Sequence, residues 1–95
     1  MPDFRAFTSP SQPYNDVMFF NASADPAQLF ETAQQRMTAV IDLLQLVEQA
    51  ESSDFVQREA ARLSFAVGLL LGDARSLYEA AHERAMNLCD REALT

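Results

Sequence analysis

Ninety-five residues allow a single domain, and a hydrophobic share of 48% excludes wholesale disorder. The net charge of −7, carried with seven arginines and no lysine, leaves no basic face to hold phosphates, so direct binding of DNA or RNA is not expected. The single cysteine, Cys89, has no partner for an internal disulfide and fits a reducing compartment.

Residues 1–24 are predicted to be irregular. Pro2, Pro10 and Pro13 remove backbone donors and disfavour helix in the residues before them. Phe4, Phe7, Tyr14, Phe19 and Phe20 are more aromatics than a disordered tail carries. Within Asp16–Asn21 a short extended segment is expected. Phe19 and Phe20 are expected to dock on the helices that follow, with the first dozen residues loosely held. Neither this segment nor the rest of the chain holds an apolar run long enough to cross a bilayer, roughly 20 residues, nor an apolar signal core. The chain therefore reads as cytoplasmic, with no membrane partner.

Residues 25–90 are predicted to form a helical hairpin. Asp25 suits an N-cap, with Pro26 at the first helical position and Gln28 at the third. The first helix is predicted over 26–50, with the stripe Phe30, Ala33, Met37, Val40, Leu44 and Val47 at alternating spacings of four and three. Glu51-Ser52-Ser53-Asp54 is a short polar linker, so the helices are antiparallel neighbours. Asp54 can cap a second helix predicted over 55–88, with the stripe Val56, Ala60, Leu63, Val67, Leu70, Ala74, Leu77 and Ala81. Arg84 then interrupts the stripe, and 90–95 are expected to fray. The second helix outlasts the first, so its last turns need another cover. Phe19 and Phe20 are expected to pack there, on Ala81, Ala85 and Leu88. The fold class is all-α, an antiparallel two-helix hairpin suited to pairing into a four-helix bundle.

Each helix is apolar beyond one seam. Ala39, Leu43, Leu46 and Ala50 make a second stripe on the first helix. On the second, Phe65 and Leu69 fall about 160° from the seam centre on a helical wheel. Beside them Ser64, Gly68, Gly72, Ser76 and Ala80 recur every four residues, as small side chains that let another backbone approach. Two mid-helix glycines cost about 1 kcal/mol each relative to alanine, and close helix contact would offset that. The alternative is that Gly68 and Gly72 merely accommodate the docked N-terminal segment or a bulky residue of the first helix. Arg58 and Arg62 lie on the same broad side. The candidate protein interface is therefore Phe65, Gly68, Leu69, Gly72 and Arg62 with Leu43 and Leu46.

Chemistry finds little to stand on. Glu79-Ala-Ala-His82 has the Glu-x-x-His form of di-iron bundles, but both residues lie outside the seam and His82 is the only histidine. Cys89 and His82 are seven residues apart, about 10 Å along one helix, too far for a nucleophile and its base. Glu48/Glu51 and Glu79/Glu83 read as solvated carboxylates, and Glu59–Arg62 and Arg75–Glu79 as ordinary helix-surface ion pairs. No catalytic, cofactor or metal residues are assigned.

From Phe19 to Ala81 the chain resembles a family of small bacterial helical-hairpin proteins classed as a domain of unknown function. The resemblance lies in Phe19-Phe20, Asp25-Pro26-Ala27-Gln28-Leu29-Phe30, Ala33, Leu43-Leu44, Leu70-Leu71 and Ala74; the Gly68/Gly72 pair departs from it. It implies a compact hairpin without a catalytic site. The expected function is a regulatory module that binds and inhibits another protein, for example an antiactivator of a LuxR-type quorum-sensing regulator, working as a homodimer or in a hetero-complex. The alternatives are an acidic chaperone for a secreted or toxic protein, and a phage-type inhibitor that imitates nucleic acid, such as an anti-CRISPR protein.

Overall fold

A computed structural model describes residues 1–8, 12–14, 16–49 and 53–94. Two strands, β1 (Phe4–Ala6) and β2 (Phe19–Asn21), precede two helices, α1 (Pro26–Gln49) and α2 (Ser53–Leu94). The helices form the antiparallel hairpin, and the fold is all-α apart from the small ribbon. Its Cα extents are 60 × 28 × 13 Å, so the hairpin is a slab one helix thick.

Helix α1 begins where its cap dictates. The Asp25 carboxylate accepts the Ala27 N–H at 2.9 Å, and the Asp25 carbonyl accepts the Leu29 N–H at 3.1 Å. Helix α2 begins at Ser53, so Asp54 stands inside the first turn, where its charge suits the helix dipole. Ala50, Glu51, Ser52 and the seam side chain of Val56 lie outside the described residues. At its other end α2 runs to Leu94, six residues past the expected stop. Nothing in Cys89-Asp90-Arg91-Glu92-Ala93-Leu94 breaks a helix, and the ribbon lies beside its Arg84 and Arg91.

The N-terminal segment is more ordered than its prolines imply. β1 and β2 pair antiparallel, with Phe4 opposite Asn21, Arg5 opposite Phe20 and Ala6 opposite Phe19. The ladder continues as the Phe7 N–H donates to the Met18 carbonyl at 3.1 Å. Gln12 then closes the connection from within. Its buried amide donates to the carbonyls of Phe7 and Met18, and its oxygen accepts the Met18 N–H at 2.8 Å. The first residues are tied as well. The Asp3 carbonyl accepts the Ala22 N–H at 2.7 Å, and the Asp3 N–H donates to the Asn21 side chain at 3.1 Å.

Strand alternation corrects the expected docking. Adjacent strand residues face opposite ways, so Phe19 and Phe20 cannot both point at the helices. Phe20 packs inward and Phe19 stays exposed. Phe7 takes the second inward place, with its ring centroid 5.0 Å from that of Phe20. The core is Phe7, Ala22, Leu29, Ala33, Leu77, Ala80 and Ala81, so the ribbon sits on Leu77, Ala80 and Ala81, while Ala85 remains exposed.

The ribbon also turns the seam of α1. Leu29, Ala33 and Val40 are buried, and Arg36, Leu43 and Val47 half-buried. That seam keeps Ala33, Val40 and Val47 of the expected one and takes Leu29, Arg36 and Leu43 in place of Phe30, Met37 and Leu44, leaving Phe30 and Leu44 exposed. Burial here has two sources, α2 and a ribbon lying to one side. Their sum points at Leu29 rather than Phe30. The seam of α2 is near the expected one through Leu63, Val67, Leu70, Ala74, Leu77 and Ala81, with Ala60 exposed.

Candidate functional site

The two broad sides of the slab differ. On one, the ribbon covers the open end of the hairpin, clasped by Arg5. The Arg5 guanidinium donates to both carboxylate oxygens of Glu83, at 2.9 and 3.1 Å, and to Asp3 at 3.0 Å. Arg5 points inward because it shares a strand face with Phe7 and Phe20. The pairing raises its already high pKa, through Glu83 first and then Asp3. In return Arg5 holds the Glu83 carboxyl below the ordinary carboxylate range, by hydrogen bonding first and by charge second.

A carboxyl with a lower pKa folded than unfolded stabilises the fold at neutral pH. That contribution fades as pH falls through the depressed value. Glu83→Gln is therefore expected to lower Tm at pH 7, and the gap from wild type should narrow as pH falls below the ordinary carboxylate range. A gap that stays constant through the acid range in thermal melts would disprove the clasp.

The sequence-derived interface residues fall mostly on this same side, beyond the ribbon. Phe65 is 63% exposed and Leu46 64%. Leu69, Gly68 and Gly72 are half-buried. The Arg62 side chain is largely exposed, 3.6 Å from the Glu59 carboxylate. Helical periodicity puts Leu46, Phe65, Leu69 and Arg62 on the side of Gln28 and Thr32, which border the ribbon. Leu43 does not join them, because it faces the seam as a half-buried residue. The small-residue ladder is not one face either. Positions four apart advance about 40° per step, so the row winds around α2 and ends at Ala80, buried beneath the ribbon.

The opposite side carries no ribbon. Phe30, Ile41 and Leu44 of α1 stand exposed there, at 47%, 50% and 51%, with half-buried Met37 between them. From α2 come Val67, Leu71 and Tyr78. Tyr78 meets Phe30 edge to face, with centroids 5.5 Å apart. At the open end Phe30, Tyr78, Ala81, His82 and Ala85 line an open, mostly apolar hollow of about 460 Å³. Sequence reading placed Phe30, Met37 and Leu44 in the intramolecular seam and passed over Ile41 and Leu71. The signal was present in Ala39-Val40-Ile41, Leu43-Leu44 and Leu46-Val47. A helix apolar well beyond one seam needs more than one cover.

Glu79 is engaged by Arg75 at 3.0 Å rather than held beside His82 for a metal, and among the described residues no group of three His, Cys, Asp or Glu converges. Asp73 is buried in the α2 seam, and its Oδ1 has no hydrogen-bond partner among the described residues. No helix of the described residues is long and apolar enough to cross a membrane. Comparison of the chain with family models, with curated proteins and with solved structures finds no match.

Proposed function

We propose that this chain is a non-enzymatic, cytoplasmic protein-binding module that regulates another protein by occupying its surface. The observation that carries the reading is the set of large apolar side chains left exposed on both sides of a hairpin one helix thick. Soluble chains rarely leave extended apolar patches unless something covers them. The heterologous partner belongs on Phe65, Leu46 and Leu69. Arg62 and Arg58 edge that patch, and they suit a segment presenting apolar side chains flanked by carboxylates. Regulation by masking fits so small an acidic hairpin. Inhibition of a LuxR-type regulator through its own dimer surface is one form it would take.

A photo-crosslinking residue at position 65, in the cell that makes the protein, tests this. The expected result is one discrete hetero-adduct at position 65 and none at the exposed polar position Gln45. A Phe65→Asp variant should bind the captured partner at least about 10-fold more weakly, as a central apolar anchor does. No adduct at position 65, or self-adducts alone, would overturn the reading.

A further inference from the structure

The uncovered side of the slab has, we infer, a single occupant, a second copy of this chain stacked face to face into a four-helix bundle. The inference rests on the reading of the hairpin as a protein-binding module and names the partner of its bare face.

Charge is the first argument. A chain of net charge −7 repels its own copy unless the charges stand away from the contact. On the bare side, helical periodicity places no charged residue in the strip from Phe30 to Leu44 of α1 or from Val67 to Ala81 of α2. The other side is different, with Arg5, Asp3, Glu83 and Arg62 on it. Of the two, only the bare strip can meet its like at low electrostatic cost.

Shape is the second. The α1 half of the strip is a ridge of Phe30, Met37, Ile41 and Leu44, and the α2 half carries Val67, Leu71, Tyr78 and Ala85. A two-fold axis along the bundle lays each α1 ridge over the lower α2 of the other copy. The same apolar contact is then made twice, as an isologous interface requires. Each helix gains an antiparallel neighbour in addition to its own hairpin mate.

Area is the third. The uncharged strip runs over 19 residues of each helix, 26–44 and 67–85, so it is about 28 Å long, and two helices abreast make it about 20 Å wide. That gives about 560 Å² per copy and about 1,100 Å² in total, just above the roughly 1,000 Å² that a specific interface needs. The same stacking leaves the Phe65 and Leu46 patches outward, one on each side of the dimer, so the assembly would present two sites to a partner.

The solution mass of the full chain tests the inference. At micromolar concentration, light scattering should give twice the 10.6 kDa chain mass. Ile41→Asp should weaken the dimer at least about 100-fold. Its helicity by circular dichroism should persist, because Ile41 is half-exposed in the hairpin itself. Ile41→Gln provides a milder variant if the aspartate form fails to fold. Phe65→Asp should leave the mass at the dimer value. A wild-type mass of one chain at about 100 μM, or a dimer that survives at Ile41 and is lost at Phe65, overturns the inference. The position-65 adduct is scored independently of mass. An intact dimer without that adduct sinks the heterologous binding alone, and an adduct formed by a monomer sinks the bundle alone.

Discussion

Truncating Phe7 to alanine is expected to undock the ribbon and to cost about 3 kcal/mol, near the lower end for loss of a buried phenylalanine. Phe7 is 7% exposed and packs on Phe20, and through the core it bridges the ribbon to Leu29, Ala33 and Leu77. The paired strands have three residues each, too short to persist without a helix to lie on. The loss should therefore be local. In hydrogen exchange the amides of Phe7 and Ala22, which donate to the Met18 and Asp3 carbonyls, should lose protection while the middle of α2 keeps its own. If those two amides exchange as slowly in Phe7→Ala as in wild type, the ribbon is not held by this side chain.

Leu77→Ala should instead weaken the whole molecule. Leu77 is 3% exposed and belongs to the cluster shared by α1, α2 and the ribbon. Removing its side chain leaves a cavity between elements that cannot all collapse inward, at a cost of about 3 kcal/mol. A domain of this size has about 5–10 kcal/mol in total, so the urea midpoint should fall by roughly a third to three-fifths. Leu46→Ala, on a mostly exposed side chain, should change it by less than about 1 kcal/mol at the same protein concentration. Equal losses from the two substitutions would mean that the core lies elsewhere.

Much of this was legible in the residues. Asp25-Pro26 places the start of α1, and the absence of breakers after it gives two long helices. The short polar linker makes them antiparallel, and the six positions from Leu63 to Ala81 at alternating spacings of four and three set the seam of α2. Phe65 and Leu46 were legible as exposed apolar residues because both lie well away from any seam. These features depend on neighbours within a turn or two, and local periodicity carries them.

Tertiary structure decided the rest. Phe4–Ala6 finds its partner fifteen residues away through backbone hydrogen bonds, which no side-chain period announces. Gln12 holds that connection by side-chain hydrogen bonds that resemble a missing rung of the ladder. Which of Phe19 and Phe20 turned inward followed from the pairing register. The choice between Leu29 and Phe30 turned on the ribbon lying over that end of one side of the slab. Both stripes of α1 are apolar at nearly the same spacing, so the sequence alone determined that α1 would seek two covers. Only the long-range packing of α2 and the ribbon determined which stripe met its own chain and which stayed exposed.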